Sequence, residues 1–301
     1  MWLAYAFLSA ALLGFYDVSK KHSLRGNAVI PVLFLNTLFC SIIFLPMAFQ
    51  TQFGGWEVQR YIVLKACIVL SSWLLGYIGM KYLPITIVGP INATRPVMVL
   101  VGALIIFGER LNLWQWAGVL IAILSFFLLS RSGRKEGIDF KHNRWILCTV
   151  GASVLGAVSG LYDKYLMATE GGLGLPRLTV QCWYNFYQCL MMGAMLLLLW
   201  YPRRKHSPKP EPGRKEEGTP FQWRWSILLI SLFLSIADYV YFYSLSLDGA
   251  LISVVSMVRR GSVLVSFMLG ALLFHEKNLR SKAIDLALVL LSMFLLWMGT
   301  E

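Results

Sequence analysis

The alternation of long apolar runs with short charged clusters constrains this chain most. Ten runs, at 2–24, 28–49, 61–81, 84–107, 112–130, 145–168, 178–201, 223–247, 249–274 and 281–299, are each about 18–26 residues long. At about 1.5 Å per residue, each run as a helix spans a hydrocarbon core of roughly 30 Å. In lipid the backbone must satisfy its own hydrogen bonds, which a helix does and an open strand does not. The composition agrees: 57% of residues are hydrophobic and 14% charged, against about 25% charged in a soluble domain. The sequence therefore predicts an all-α integral membrane protein with ten transmembrane helices. The first run begins at Met1 with no basic region before it and no small-residue cleavage site after it. It reads as a retained helix rather than a signal peptide.

The formal net charge of +12 does not point to nucleic acid, because the basic residues lie in membrane-flanking loops, where topology selects them. The longest loop, within 202–222, is rich in Pro, Lys and Glu and reads as a flexible basic linker. The five cysteines, Cys40, Cys67, Cys148, Cys182 and Cys189, all fall inside apolar runs without metal-ligand spacing. There is no Gly-rich phosphate loop, metal-ligand cluster or nucleophile–base arrangement, so no cofactor and no enzymatic activity are expected.

The chain repeats itself. In "GFYDVSKK" (14–21) and "GLYDKYL" (160–166), Gly14, Tyr16 and Asp17 match Gly160, Tyr162 and Asp163. "FGER" (107–110) resembles "FHEK" (274–277), so that Glu109 matches Glu276, both in short helix–helix turns. Between these anchors, 79–88 laid on 244–253 puts Arg95 on Arg260. The two repeats are 1–130 and 145–299, with five helices each. An odd number of crossings sends the second half into the membrane from the opposite side, the inverted repeat common among secondary transporters.

Ten helices in a five-plus-five inverted repeat, with a Glu-containing motif after helix four and its counterpart after helix nine, resemble the drug/metabolite transporter superfamily, in its EamA-like branch. Many EamA-like proteins carry Trp in helix one, where this chain has Phe15-Tyr16-Asp17, and many lack charge in helix nine. The Arg259-Arg260 pair is instead similar to the basic dyad in helix nine of the sugar-phosphate translocators, which grips the substrate's phosphate. The resemblance implies a multi-pass membrane carrier without enzymatic chemistry.

Arginine stays protonated, so an intramembrane guanidinium needs a ligand, water or an acid. Arg95, Arg259 and Arg260 are the buried guanidiniums to explain. Their planar donor fork suits carboxylate or phosphate. Adjacent residues on a helix point about 100° apart, so Arg259 and Arg260 cannot face one spot together. The alternative is internal pairing with Asp17, Asp163, Asp238 or Asp285. Asp17 adjoins Lys20 and Asp163 adjoins Lys164, so both also fit helix-end ion pairs. Asp238, in "SIADYVYFYS", is either a proton-carrying carboxylate or the partner of a buried Arg. Among the mid-run amides Asn36, Asn92, Gln181, Asn185 and Gln188, Asn92 is one helical turn from Arg95 and is the strongest cavity candidate.

These residues predict a secondary transporter that moves a small anionic or zwitterionic metabolite by alternating access. Arg95, Arg259, Arg260, Asn92, Asn36 and Asn185 would bind substrate, and Asp238, Asp17 and Asp163 would serve coupling or ion pairing. A flippase for an anionic, polyprenyl-phosphate-type lipid is the alternative reading, and a non-transporting scaffold a third. The expected partners are the anion and membrane lipids, not nucleic acid, for a monomer or homodimer in a bacterial inner membrane. Lys and Arg favour the side of the odd-numbered loops by about four to one, which places both termini outside. The family habit is the reverse.

Overall fold

The computed structural model describes residues 2–95, 97–98, 112–134, 143–167, 172–202, 220–246, 258–259, 261–274 and 279–299. Among the described residues there are ten helices and no strand. The first half contributes α1 (Trp2–Leu24), α2 (Val29–Ala48), α3 (Gly55–Tyr82), α4 (Ile85–Ala93) and α5 (Leu113–Arg134). The second contributes α6 (Arg144–Met167), α7 (Arg177–Met195), α8 (Trp225–Ser246), α9 (Ser262–Phe274) and α10 (Leu279–Met298). α7 continues through a π-helical turn, Leu196–Trp200. By length and composition Val29–Ala48, Gly55–Tyr82, Arg144–Asp163 and Arg177–Trp200 are each able to cross a membrane.

The distribution of side chains suits lipid. Leu120, Ile123, Leu190, Met268 and Leu272 stand exposed, while Asn36, Gln188, Thr149 and Ser231 are fully buried. Large apolar surface turned outward is a liability in water and the normal condition in a bilayer. α1 packs on α8 and α3 on α6, while α2 meets α7, α4 meets α9 and α5 meets α10. The largest core cluster includes Leu24, Leu33, Tyr77, Ile87, Ile91 and Ile230, and so draws on both halves.

Without a hydrophobic drive between helices in lipid, small residues set how closely backbones approach. Gly79 of α3 is the tightest such point against α6, because a Cβ there would collide with the Thr149 hydroxyl. Gly79→Val is expected to force α3 and α6 apart, at about 1–3 kcal/mol for overpacking. A lower unfolding midpoint in detergent checks this, and Thr149→Gly in the same chain should recover most of the loss.

Two expectations about helix ends change. Helix three begins at Gly55 rather than near 61, where Gly54, in a left-handed conformation with φ 70°, turns the chain into the helix. The predicted helix over 84–107 is interrupted: α4 ends at Ala93, and Thr94 turns, with its hydroxyl donating to Ile91 O at 2.7 Å. Proline explains the break. Pro90 lacks the N–H that would bond back along α4, and Pro96 lacks the N–H that an unbroken helix would bond to Asn92 O. Residues 99–111, with Glu109, and 275–278, with Glu276, lie outside the described residues, as do Arg260 and positions 203–219 of the basic loop.

One end of the bundle is tied between the halves. Asn27, after α1, donates from Nδ2 to Gln222 O at 2.8 Å and accepts at Oδ1 from Gln222 N at 3.0 Å. Ser23 and Ser226 hydroxyls lie 2.6 Å apart, and Arg224 donates to His22 O at 2.6 Å.

Candidate functional site

Arg95 sits where α4 breaks, and its side chain is aimed at α6. Its Nη2 donates to Asn92 Oδ1 at 3.4 Å, and Ser153 of α6 donates to the same oxygen at 3.0 Å. The close approach depends on Gly156. A Cβ there would lie 2.8 Å from Arg95 Cζ and 2.9 Å from Nη1. Arg95 Nε is buried without a hydrogen-bond partner. Among the described residues no carboxylate lies within ion-pair distance of this guanidinium.

The Arg95 guanidinium borders a cavity of about 180 Å³. Ser72 and Trp73 of α3 and Ser159, Gly160 and Asp163 of α6 complete its wall. Gly156, Ser159, Gly160 and Asp163 recur at helical spacing, so one face of α6 supplies them all. Ser72 is already engaged, donating to Ala152 O at 2.7 Å. Asp163 accepts from Lys65 Nζ at 2.5 Å. Lys65 also donates to Ser159 Oγ at 2.6 Å and to Ser159 O at 3.2 Å, so its three protons are all used.

Lys65 was missed in the sequence, where it counts with the basic flank of the second loop. The structure buries it within α3, only 3% exposed. Lys282 corrects the count in the same way: it is fully buried in α10 and donates to Thr86 Oγ1 at 2.9 Å. The available signal was position, since Lys65 stands inside "YIVLKACIVL", well past the start of its apolar run.

Arg259 has a different setting. Its Nη2 donates to Asp238 Oδ1 in an ion pair, and its guanidinium lies 4.3 Å from the Tyr241 ring centroid. Gln181 of α7 donates to the other oxygen of Asp238 at 3.5 Å. Arg259 does not line the Arg95 cavity. Asp238 therefore stands in an ion pair with Arg259, apart from the Arg95 cavity.

Asp17 pairs with Lys20 at 2.8 Å, one turn along α1, and Lys20 Nζ lies over the Tyr16 ring at 4.3 Å. Asn36 accepts at Oδ1 from Ser231 at 3.0 Å, joining α2 to α8. Asn185 accepts at its backbone oxygen from Ser41 at 3.1 Å, joining α7 to α2. The Nδ2 groups of Asn36 and Asn185, and both polar atoms of the Gln188 side chain, are buried without partners. The structure thus brings Arg95 and Asp163 to one cavity, with Asn92 bonded to Arg95 behind it, and leaves Asn36 and Asn185 at helix–helix contacts and Asp17 in an ion pair within α1.

Ten helices among the described residues, with large apolar side chains turned outward, make this a multi-pass membrane protein. The EamA-like transporter family model matches residues 1–131 and 143–298. The chain belongs to the EamA-like transporter family. An "Uncharacterized transporter" of Archaeoglobus fulgidus is 26% identical over 136 residues, which is 42% of this chain and 48% of that protein. The chain thus matches about half the length of this relative. A solved structure described only as "Crystal structure of protein" superposes with a TM-score of 0.62 at 15% identity, over 99% of this chain and 98% of the other. That similarity is one of fold.

Proposed function

We propose that the chain is a secondary transporter moving a small anionic or zwitterionic metabolite by alternating access, with Arg95 as the anchor for the anionic group. The observation that carries this is the Arg95 guanidinium, buried on a cavity with no acid in ion-pair reach among the described residues. A buried, permanently charged group with no acid in direct contact is costly, and an arriving anion supplies that contact. Asn92 holds the guanidinium, and Gly156 leaves it room. Arg260, matched to Arg95 by the repeat, is the candidate for a second anchor.

The alternating-access part rests on two halves, 1–130 and 145–299, related as inverted repeats. Supporting it, the five pairings given above survive exchange of each helix with the one five later. The α1–α8 contact becomes α6–α3, while α2–α7, α4–α9 and α5–α10 map onto themselves. Rigid halves packed in this way can rock about a fixed site between them. The proposed location is a bacterial inner membrane.

The test is ligand-induced stabilisation in detergent, because a ligand that binds the folded state raises its melting temperature. Short carboxylates, sulfate, phosphorylated sugars, amino acids and a polyprenyl phosphate form the panel. Small anions are expected to raise the midpoint, Arg95→Ala to abolish the rise, and Arg95→Lys to restore part of it, since Lys lacks the planar fork. A rise with the polyprenyl phosphate alone would transfer the site to a lipid carrier. A rise that survives in Arg95→Ala would remove Arg95 as the anchor.

A further inference from the structure

The anion reading leaves one feature of the Arg95 cavity unexplained: a carboxylate lines the same space. Asp163 shares the wall of the roughly 180 Å³ cavity with Arg95. Gly156, against the Arg95 guanidinium, and Asp163 are two turns apart on α6, about 10 Å along the axis. A ligand filling so small a space lies close to both ends. An anion brought in by Arg95 is therefore held near a like charge in a partly desolvated site, and a proton on the carboxylate relieves the repulsion.

Lys65 allows that protonation without loss of the local structure. Of its three donated bonds, the one to Asp163 weakens when the carboxylate becomes neutral. Those to Ser159 Oγ at 2.6 Å and Ser159 O at 3.2 Å remain. The ammonium stays fixed to α6, and its charge is no longer cancelled. The other charged and titratable groups around Asp163 are Arg95 of α4, on the same cavity wall, and Tyr184 of α7, which interacts with it electrostatically. Tyr162 donates to Tyr61 O at 3.2 Å, and the Tyr184 ring centroid is 6.0 Å from Lys65 Nζ. Arginine keeps its proton, so proton uptake at this wall falls to the Asp163–Lys65 pair.

We propose that binding of an anion at Arg95 is coupled to uptake of one proton by Asp163, so that the transporter carries proton and anion together. The inference rests on the anion reading of this cavity. The step balances simply: a hydronium ion gives its proton to the Asp163 carboxylate, the Lys65–Asp163 ion pair opens, and the anion enters between Arg95 and Lys65. Linkage is reciprocal, so the proton tightens anion binding by the factor with which the anion tightens proton binding.

Titration calorimetry tests this with sulfate and propionate, neither of which changes protonation between about pH 6 and 8. It is run in two buffers of different ionisation enthalpy. The parent protein is expected to take up about one proton per anion bound, with affinity rising up to about tenfold per unit fall in pH where uptake is complete. Asp163→Asn should bind the same anion with no proton uptake and no dependence on pH, at or above the parent's affinity. Ser159→Ala should keep the uptake but weaken binding, because Lys65 then lacks its hydroxyl anchor. Binding by the parent without proton uptake, or equal uptake by Asp163→Asn, overturns the coupling while leaving the anion site standing. No binding of either anion by the parent overturns the anion site and the coupling with it. If Asp163→Asn fails to fold, Asp163→Glu is the second variant. It should retain the uptake with a displaced pH midpoint, and an unchanged profile counts against the proposal.

Discussion

Arg95→Gln and Arg259→Gln are expected to fail in opposite ways, although both remove a guanidinium from a membrane helix. Arg259→Gln leaves Asp238 as a mostly buried carboxylate without its cation, and breaking such a pair costs about 3–5 kcal/mol. The unfolding midpoint in detergent should fall sharply. Asp238→Asn in the same chain should recover much of the loss, because a neutral pair of similar volume carries no stranded charge. Arg95→Gln removes a cation that has no ion-pair partner among the described residues. Its midpoint should hold or rise, while affinity for a small anion falls on the order of 100-fold, the worth of a charge-assisted contact. Midpoints and anion affinities of the four proteins decide the matter. A large loss of stability in Arg95→Gln, with the anion affinity of the remaining folded protein intact, would assign Arg95 to packing.

The contrast bears on what the sequence alone reveals about buried charge. The three arginines stand out because each interrupts an apolar run, and the expense of burying each one is a local property. How each charge is compensated is not local. Asp238 is 21 residues from Arg259, within reach of sequence reasoning, and it was among four candidate acids. The Asp163–Lys65 pair joins α6 to α3 across the two halves. Nothing near Lys65 in the chain announces it, so Lys65 reads as flank. Gly156 carries no signal of its own either. Its role appears only when Arg95 is found against it.

Helix positions follow the same division. Runs bounded by charge or by Gly give nearly the right ends, as in α1, where the run 2–24 and the helix coincide. Helix four differs because its ends were read from hydropathy, whereas its interruption comes from Pro90, Thr94 and Pro96. Those residues act on backbone geometry, which an apolar average does not register. The break places Arg95 at a helix end rather than within a continuous helix. A broken helix beside a buried charge is a recurring device of transporter binding sites.

Covalent closure of the strap between the halves is expected to stop transport while sparing the site. Ser23 Oγ and Ser226 Oγ lie 2.6 Å apart, so cysteines at both positions need little movement to reach a disulfide of about 2.05 Å. The reciprocal Asn27–Gln222 bonds and the Arg224–His22 contact flank that point. All of them tie the end of α1 and the turn after it to the start of α8. If the halves rock about the Arg95 cavity, this end must part once in each cycle, and a bond that cannot open halts the cycle. Oxidised Ser23→Cys/Ser226→Cys in proteoliposomes should transport the anion at least about tenfold more slowly than the same protein after reduction. In detergent its anion-induced rise in midpoint should match the parent's, because the cavity lies elsewhere. Each single cysteine variant should be indifferent to oxidant, which separates the link from reactions of the native cysteines, of which Cys67 is exposed. Equal rates before and after reduction, with the link verified by mass spectrometry, would mean that this end stays closed throughout transport. The moving boundary between the halves would then have to lie away from the α1–α8 contact.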